Sequence, residues 1–463
     1  MNQNGNKRIE MLAHGPVRKS LFALSAPAIA GMLVMAVYNI VDTFFVSLLR
    51  DTTAIAATGI VFPVFQLIGA VGLTFGMGAA SVISRRLGEN DYESANEAGA
   101  TAFYSALGVG IVFSLVGAIL IEPILTLFGA TESILATATL YGRVIIGGSV
   151  FQVLNMTTNN LLRAEGASLH SSVGQILGAL LNIALDPIFI FVFDMGVTGA
   201  AVATVIAQGV STLYLVSYYL MKKGVLTPLR ASFVRLRWRT YRALMTLGLP
   251  TFVRQILGSV SFGILNNAAG TFGDSAIAAI SVTFRLFMLL FMALIGLAQG
   301  LQPLAGYNFG AKRFDRVRAT IRIVLVTVVL VGGVAGVIAY AFAPGIMAIF
   351  APQDAEVIAM GTEAMRLMAL VLIPIGMVVM FGGIFQALGD GRSALMLAAG
   401  QQGVFLIPLV LVLPRFFGLT GVFAAQPAGF LLAFLIGLLL LRRTLRKLHE
   451  GEMSGDAVPA PVG

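Results

Sequence analysis

Twelve times along this chain the sequence runs apolar for about twenty residues or more. A run of that length crosses ~30 Å of hydrocarbon as a helix. Inside a bilayer only helices and closed barrels satisfy their own backbone polar groups. The runs fall near 21–48, 54–84, 98–121, 134–161, 169–193, 198–221, 241–270, 275–305, 318–343, 356–387, 393–416 and 418–441. They are too long and too uniformly apolar for the alternating strands of a membrane barrel. Charged residues make up 11% of the chain, against about 25% in soluble domains. The fold these features predict is all-α and integral to the membrane, with twelve transmembrane helices and the lipid bilayer as first partner.

The second half of the sequence repeats the first. Leu24-Ser25-Ala26-Pro27 recurs as Leu247-Gly248-Leu249-Pro250, and Ala54-Ile55-Ala56-Ala57 as Ala276-Ile277-Ala278-Ala279. Gly88 recurs as Gly310, Arg143 as Arg366, and Gly196-Val197-Thr198-Gly199 as Gly418-Leu419-Thr420-Gly421. Every offset is 222 or 223 residues. Five matches in order at one offset mark a duplication of six spans. An even number of spans keeps both copies in the same orientation. The expectation is two six-helix lobes related by a pseudo-two-fold axis along the membrane normal, with a path between them. The boundaries are an N-terminal tail (1–20), an N-lobe (21–221), a basic linker carrying Trp238 (222–240), a C-lobe (241–441) and a C-terminal tail (442–463).

Charge placement supplies the orientation. Of the 30 lysines and arginines, 24 fall at one set of span ends, while the opposite loops hold only Arg50 and Arg415. The positive-inside rule puts both termini in the cytoplasm. The net charge of +9 is therefore a topology signal, and no nucleic-acid partner is read from it. The first twenty residues lack the apolar core of a signal peptide, so the first span is expected to stay in the mature chain.

Two carboxylates break the apolar runs: Asp42 in the first span and Asp186 in the fifth. Each costs about 2.5–3.5 kcal/mol at membrane depth, a cost tolerated where the group faces an interior cavity and has work to do. Neither has an acidic counterpart in the second half, where Leu265 and Ile407 occupy the matching places. A structural pair in a symmetric scaffold would be needed twice, so an ion or proton site is the preferred reading. Amides converge on the same half. Gln152, Asn155 and Asn159 share one helix face, Gln175, Asn182 and Asp186 another, and Thr204 and Gln208 a third. The second half offers Arg254, Gln255, Gln299, Gln302, Gln386, Gln401 and Gln402.

Val41-Asp42-Thr43, Leu162-Arg163-Ala164-Glu165-Gly166, Leu181-Asn182-Ile183-Ala184-Leu185-Asp186-Pro187 and the run Gly300-Leu301-Gln302-Pro303-Leu304-Ala305-Gly306-Tyr307-Asn308-Phe309-Gly310 resemble the multidrug and toxic compound extrusion (MATE) family. The resemblance covers roughly residues 15–445. It implies cation-coupled efflux of drugs and other organic, often cationic compounds across an inner membrane by rocking of two lobes. That is a secondary active antiporter and no enzyme, expected as a monomer, with no cofactor beyond a coupling H+ or Na+. Within the family the chain is similar to the DinF-like branch. That branch's ion-site pattern falls on Asp42, Asn182, Asp186 and Thr204, which would also ligate Na+ if sodium is the coupling ion. Its neighbouring cavity falls on Tyr38 and Asn159. The expected substrate cavity is Tyr38, Gln152, Asn155, Asn159, Gln175, Arg254 and Gln255.

Other classes fit less well. A flippase for lipid-linked sugars needs several cavity cations for its pyrophosphate, and only Arg254 qualifies. An enzyme needs a nucleophile–base pair or a metal site, but His14, His170 and His449 lie at span ends or in tails and cysteine is absent. The 19 methionines and 32 phenylalanines suit an adaptable apolar pocket, although most of them face lipid or pack helices.

Overall fold

The computed structural model describes residues 3–454 apart from Arg50, Pro228, Leu236, Ala351 and Gln353. Arg50 and residues 455–463 of the C-terminal tail therefore lie outside the described residues. Helix α1 (Gln3–His14) precedes the first long helix, α2 (Val17–Leu48). There follow α3 (Thr52–Gly88), α4 (Tyr92–Leu127), α5 (Glu132–Gly147), α6 (Ser149–Ala164), α7 (Ser168–Pro187) and α8 (Gly196–Leu220). The second half brings α9 (Trp238–Gly270), α10 (Asp274–Gly310), α11 (Phe314–Ala341) and the short α12 (Ala343–Phe350). It ends with α13 (Ala355–Leu370), α14 (Leu372–Ala387), α15 (Gly391–Ala399) and α16 (Leu406–Ser454). No strand occurs among the described residues.

Nine helical stretches among the described residues are each long and apolar enough to cross a bilayer. Two pairs, α5–α6 and α13–α14, bend by 45° and 54° and bring the number to eleven. The last stretch, Gly391–Glu450, runs 60 residues, about 90 Å at 1.5 Å per residue. That is about three hydrocarbon thicknesses. It turns at Gly418 (φ 55°, ψ −135°), so it makes two crossings and the total becomes twelve. The outer surface is apolar where lipid would lie: Phe22, Leu115, Ile119, Leu330 and Val337 are all exposed.

The duplication is visible in the backbone. Left-handed residues recur at matching positions: Asn90 with Lys312 (φ 61° and 56°), Gly166 with Gly389 (80° and 82°), and Gly196 with Gly418 (56° and 55°). The packing recurs too. In the first half α3 lies on α4 and α6, α2 on α7, and α6 on α8. In the second half α10 lies on α11 and α14, α9 on α15, and α14 on α16.

The halves meet through two crossings, α2 on α10 and α3 on α9, with α3 and α10 also touching. Glycines make this closeness possible. A Cβ on Gly88 would overlap the Tyr307 carbonyl oxygen, and one on Gly310 would overlap that of Arg85. Gly78 meets the Leu244 carbonyl, Gly248 the Thr74 carbonyl, and Gly300 the hydroxyl and backbone of Ser25. All of these contacts lie toward the end of the molecule that carries the chain termini.

At that end the N-terminal segment is more than a tail. Leu12 of α1 is fully buried. Asn308 Nδ2 donates to the Leu12 carbonyl (3.0 Å), and Arg316 Nη2 to the Gly15 carbonyl (2.7 Å). Toward the first half, Arg8 of α1 donates to the Tyr218 hydroxyl and lies over its ring at 5.3 Å. Helix α1 therefore touches both halves. The linker docks nearby: the N–H groups of Val225 and Leu226 donate to Glu165 Oε2 (2.8 and 3.0 Å). Burial pushes the Glu165 carboxyl up to about 7, against the opposing pull of those N–H groups and Arg8.

Candidate functional site

Asp186 is the last residue before Pro187, which closes α7. Proline supplies no N–H to continue the α-helical ladder, and the chain widens into a π-helical turn, Ile188–Val192. Gly199 of α8 seats against the Phe189 backbone of that turn. This holds the end of α7, with Asp186 fully buried, close to α8. Such π segments recur at functional sites.

The two acidic residues come together. Asp42 reaches in from α2, half-buried, and its carboxyl lies within hydrogen-bond reach of Asp186. Asn182 sits one turn before Asp186 on the same face. With its amide oriented to satisfy every neighbour, its nitrogen donates to Asp186 Oδ2 (3.0 Å). Its oxygen then accepts from the Thr204 backbone N–H (3.0 Å) and hydroxyl (3.2 Å). The Tyr38 side chain, one turn before Asp42, lies beside Thr204. The residues Asp42, Asn182, Asp186, Thr204 and Tyr38 thus form one polar knot contributed by α2, α7 and α8. Among the described residues no group of three or more His, Cys, Asp or Glu side chains is placed to hold a metal ion.

The residues expected to line one substrate cavity separate into three places. Tyr38, Gln152, Asn155 and Gln175 line a small chamber of about 50 Å3 beside the knot, together with Asn182 and Thr204. Gln152 Nε2 donates to the Phe65 carbonyl (3.1 Å), and the Gln175 oxygen has no partner among the described residues. Asn159 is absent from that lining and only 1% exposed. Its amide donates to Asn155 Oδ1 (2.9 Å), and its oxygen accepts from the Ser171 hydroxyl (2.8 Å). Asn155 in turn donates to the Ser211 hydroxyl (2.7 Å). Asn159 is thus a spoke of the network that ties α6 to α7 and α8. Asn159 shares its helical face with Asn155, and one more turn carries it past the chamber.

Arg254 and Gln255 belong to a different space, a cavity of about 590 Å3 between the halves. Its walls come mainly from α9, α14, α10 and α15, with Gln401 and Gln402 of the π-helical segment Gly400–Phe405, and Phe62, Pro63 and Gln66 of α3 contribute from the first half. Two residues escaped the sequence reading. Tyr141 of α5 lies close enough to feel the charge of both Asp42 and Asp186. Gln66 interrupts an apolar run and could have been found by that signal.

A bundle of twelve apolar crossings, duplicated about a pseudo-two-fold and holding buried carboxylates beside an interlobe cavity, defines a polytopic membrane transporter. The MatE family model matches the chain twice, over residues 27–188 and 250–412, once in each half. The chain belongs to the MATE family: it is a transporter and not an enzyme. It is 32% identical to the multidrug export protein MepA of Staphylococcus saprophyticus over 406 residues, spanning 88% of this chain and 89% of that one. Identity to MepA of Staphylococcus aureus strain MSSA476 is 30% over 407 residues, with the same two coverages. Among solved structures, MATE in complex with MaL6 superposes with a TM-score of 0.89 at 26% identity, over 96% of this chain and 99% of that one. An outward-facing multidrug resistance MATE family transporter of the MOP superfamily gives 0.88 at 26% identity and the same coverages.

Proposed function

We propose that the chain is a secondary active multidrug efflux antiporter that exports organic, mainly cationic compounds in exchange for a cation bound at Asp42 and Asp186. The observation that carries this reading is the meeting of those two carboxyl groups inside the first half. Two like charges in a poorly solvated site repel strongly, and one bound cation relieves that repulsion. Cation and drug then compete through conformation, because a ligand shifts an equilibrium only by its differential affinity for the two states. Antiport follows if they favour opposite ones.

The sequence left H+ and Na+ open. With its amide assigned to satisfy its neighbours, Asn182 turns N–H donors toward Asp186, an assignment consistent with H+ at the pair; the opposite orientation would offer its oxygen to Na+. A hard metal cation needs oxygen donors around it. The acid pair in the first lobe also supports a place in the DinF-like branch. The terminus-bearing end, where 24 of the 30 basic residues cluster by sequence, faces the cytoplasm of a bacterial-type inner membrane. With that end sealed by the helix crossings, the larger cavity opens outward.

The test is export in everted vesicles, with pH and sodium gradients imposed separately. Wild-type protein should concentrate a cationic dye such as ethidium under a pH gradient alone. Purified Asp42→Asn protein should fail to do so. If that variant still moves dye against its gradient at the wild-type rate, Asp42 is not the coupling residue.

A further inference from the structure

Several basic side chains at the terminus-bearing end are committed to protein partners. Arg8 donates to Tyr218, Arg313 and Arg316 donate to the carbonyls of Ala13 and Gly15, and Arg86 pairs with Glu89 (2.6 Å). The stretch between α8 and α9 is different. Arg230, Arg235, Arg237, Arg239 and Arg242 are all exposed, and among the described residues none of their side chains makes an ion pair or a hydrogen bond. Their backbone is nonetheless fixed on α4. The Thr227 N–H donates to Asn96 Oδ1 (2.6 Å), and the Tyr104 hydroxyl donates to the Leu229 carbonyl (2.8 Å). The Thr240 hydroxyl donates to Glu97, and the Tyr241 hydroxyl shares a hydrogen bond with Ser105 (2.7 Å). Glu97 is thus an acidic group against this stretch, and it pairs with none of the five arginines.

Trp238 opens α9 in the middle of the group and is 78% exposed. Helix α9 runs 33 residues, about 50 Å at 1.5 Å per residue, against ~30 Å of hydrocarbon. Its excess length leaves the arginine-rich first turn at headgroup level. At the offset of the repeat the corresponding stretch of the first half is α1, a single helix that buries Leu12. The second copy is instead a ribbon with one short turn, Ala231–Phe233. Orienting a chain requires basic residues on one side. It does not require them unpaired, on a fixed backbone, around an exposed tryptophan.

We propose that residues 230–242 bind anionic phospholipids of the adjoining leaflet, with Trp238 at the interface and the arginines on headgroup phosphates. A guanidinium fork matches phosphate oxygens with parallel hydrogen bonds. Basic clusters of this size beside a membrane helix attract acidic lipid, and tryptophan settles at the level of the headgroups. A soluble anion would leave the indole without a partner, so the occupant is a lipid surface. Binding there joins the ribbon held by α4 of the first half and the opening turn of the second half to one patch of the leaflet.

Trp238 is the only tryptophan in the chain, so its emission reports on this surface alone. The full chain is placed in phosphatidylcholine nanodiscs with a rising fraction of brominated lipid, either phosphatidylglycerol or phosphatidylcholine, bromine being a contact quencher. Brominated phosphatidylglycerol should reach half-maximal quenching at roughly fivefold lower mole fraction than brominated phosphatidylcholine, and high salt should narrow the gap. Combining Arg235→Gln, Arg237→Gln and Arg239→Gln should bring the two curves together, and lysine at the same positions should restore part of the gap. All three side chains are exposed, so the fold is retained. Coincident curves in the wild type would reduce Trp238 to a neutral interfacial anchor and overturn the proposal. A gap that survives in the glutamine variant would overturn the assignment to the arginines. Absence of quenching by either lipid would place Trp238 off the bilayer and overturn it as well. No transport is measured, so none of these results bears on the export reading.

Discussion

The two halves share a backbone plan and differ in what lines it. The left-handed residues match within a few degrees, and the broken crossings bend by 45° in one half and 54° in the other. The inner walls do not match. The first half folds its polar groups inward around two carboxylates and leaves a chamber of about 50 Å3. The second half puts Leu265, which is 3% exposed, where Asp42 would be. It opens a cavity of about 590 Å3 lined by one arginine and several amides. The π-helical turns also fall at non-equivalent places, just after Asp186 in one half and across Gln401 and Gln402 in the other. On the function proposed above, side chains divide the labour, with cation binding in one lobe and much of the substrate wall in the other.

The sharpest way to break this contrast is to neutralise the acidic lobe. Asp42→Asn and Asp186→Asn should each reduce coupled export on the order of 100-fold, from about 2–3 kcal/mol lost with a buried charged partner. Asp274→Asn, at the exposed start of α10, should stay within about twofold, as surface substitutions do. Vesicle transport rates check both. Next come the two glycine contacts. Gly88→Val and Gly310→Val should each disfavour the sealed end by about 1–3 kcal/mol of overpacking, and spin-label distances across that end should widen alike. If only one variant opens it, the crossings are not equivalent.

A smaller effect is expected at Asn182. Asn182→Leu leaves Asp186 without its donor and should cost about 1–1.5 kcal/mol, roughly a tenfold weaker coupling-ion dependence. An unchanged pH or sodium titration of export would remove Asn182 from the site. The smallest effect concerns Glu165, a feature of one half alone, since Leu388 precedes Gly389 where Glu165 precedes Gly166. Its folded-state value, near 7, exceeds the ordinary 4.5 because of burial. Its contribution to linker docking is therefore full below 4.5 and is lost as pH rises through 7. Hydrogen exchange at residues 224–227, corrected for intrinsic rate, should show weaker protection at pH 8 than at pH 6. Glu165→Gln should flatten that difference.

Much of this was legible in the sequence because its physical cost is conspicuous. Asp42 and Asp186 stand out since charge inside an apolar run is expensive. The duplication stands out because glycines, prolines and a turn recur at one offset. Other features carry no such mark. Tyr141 lies within an apolar stretch, and a phenol is too cheap there to attract notice. Asn159 shows that helical periodicity gives a face but not how deep along it a cavity ends. Helix α1 is polar and only 12 residues long, so nothing local reveals that both halves hold it. The division of the expected pocket into a chamber and a cavity depends on how ten or more helices lean together. No window of sequence contains that.

The glycine crossings have a mechanical consequence. Where helices mesh through side chains, each ridge must climb out of its groove before the pair can slide, and motion proceeds in steps. At Gly78, Gly88, Gly248 and Gly310 no side chain projects, and backbone rests on backbone. That surface behaves as a plain bearing and not as a gear. One lobe can roll on the other through small angles with few side chains obliged to change rotamer. The resistance to rocking is then set by the few groups that reach across the seam, α1 and the Ser81 hydroxyl on the Gln386 carbonyl among them, and by whatever occupies the cavity.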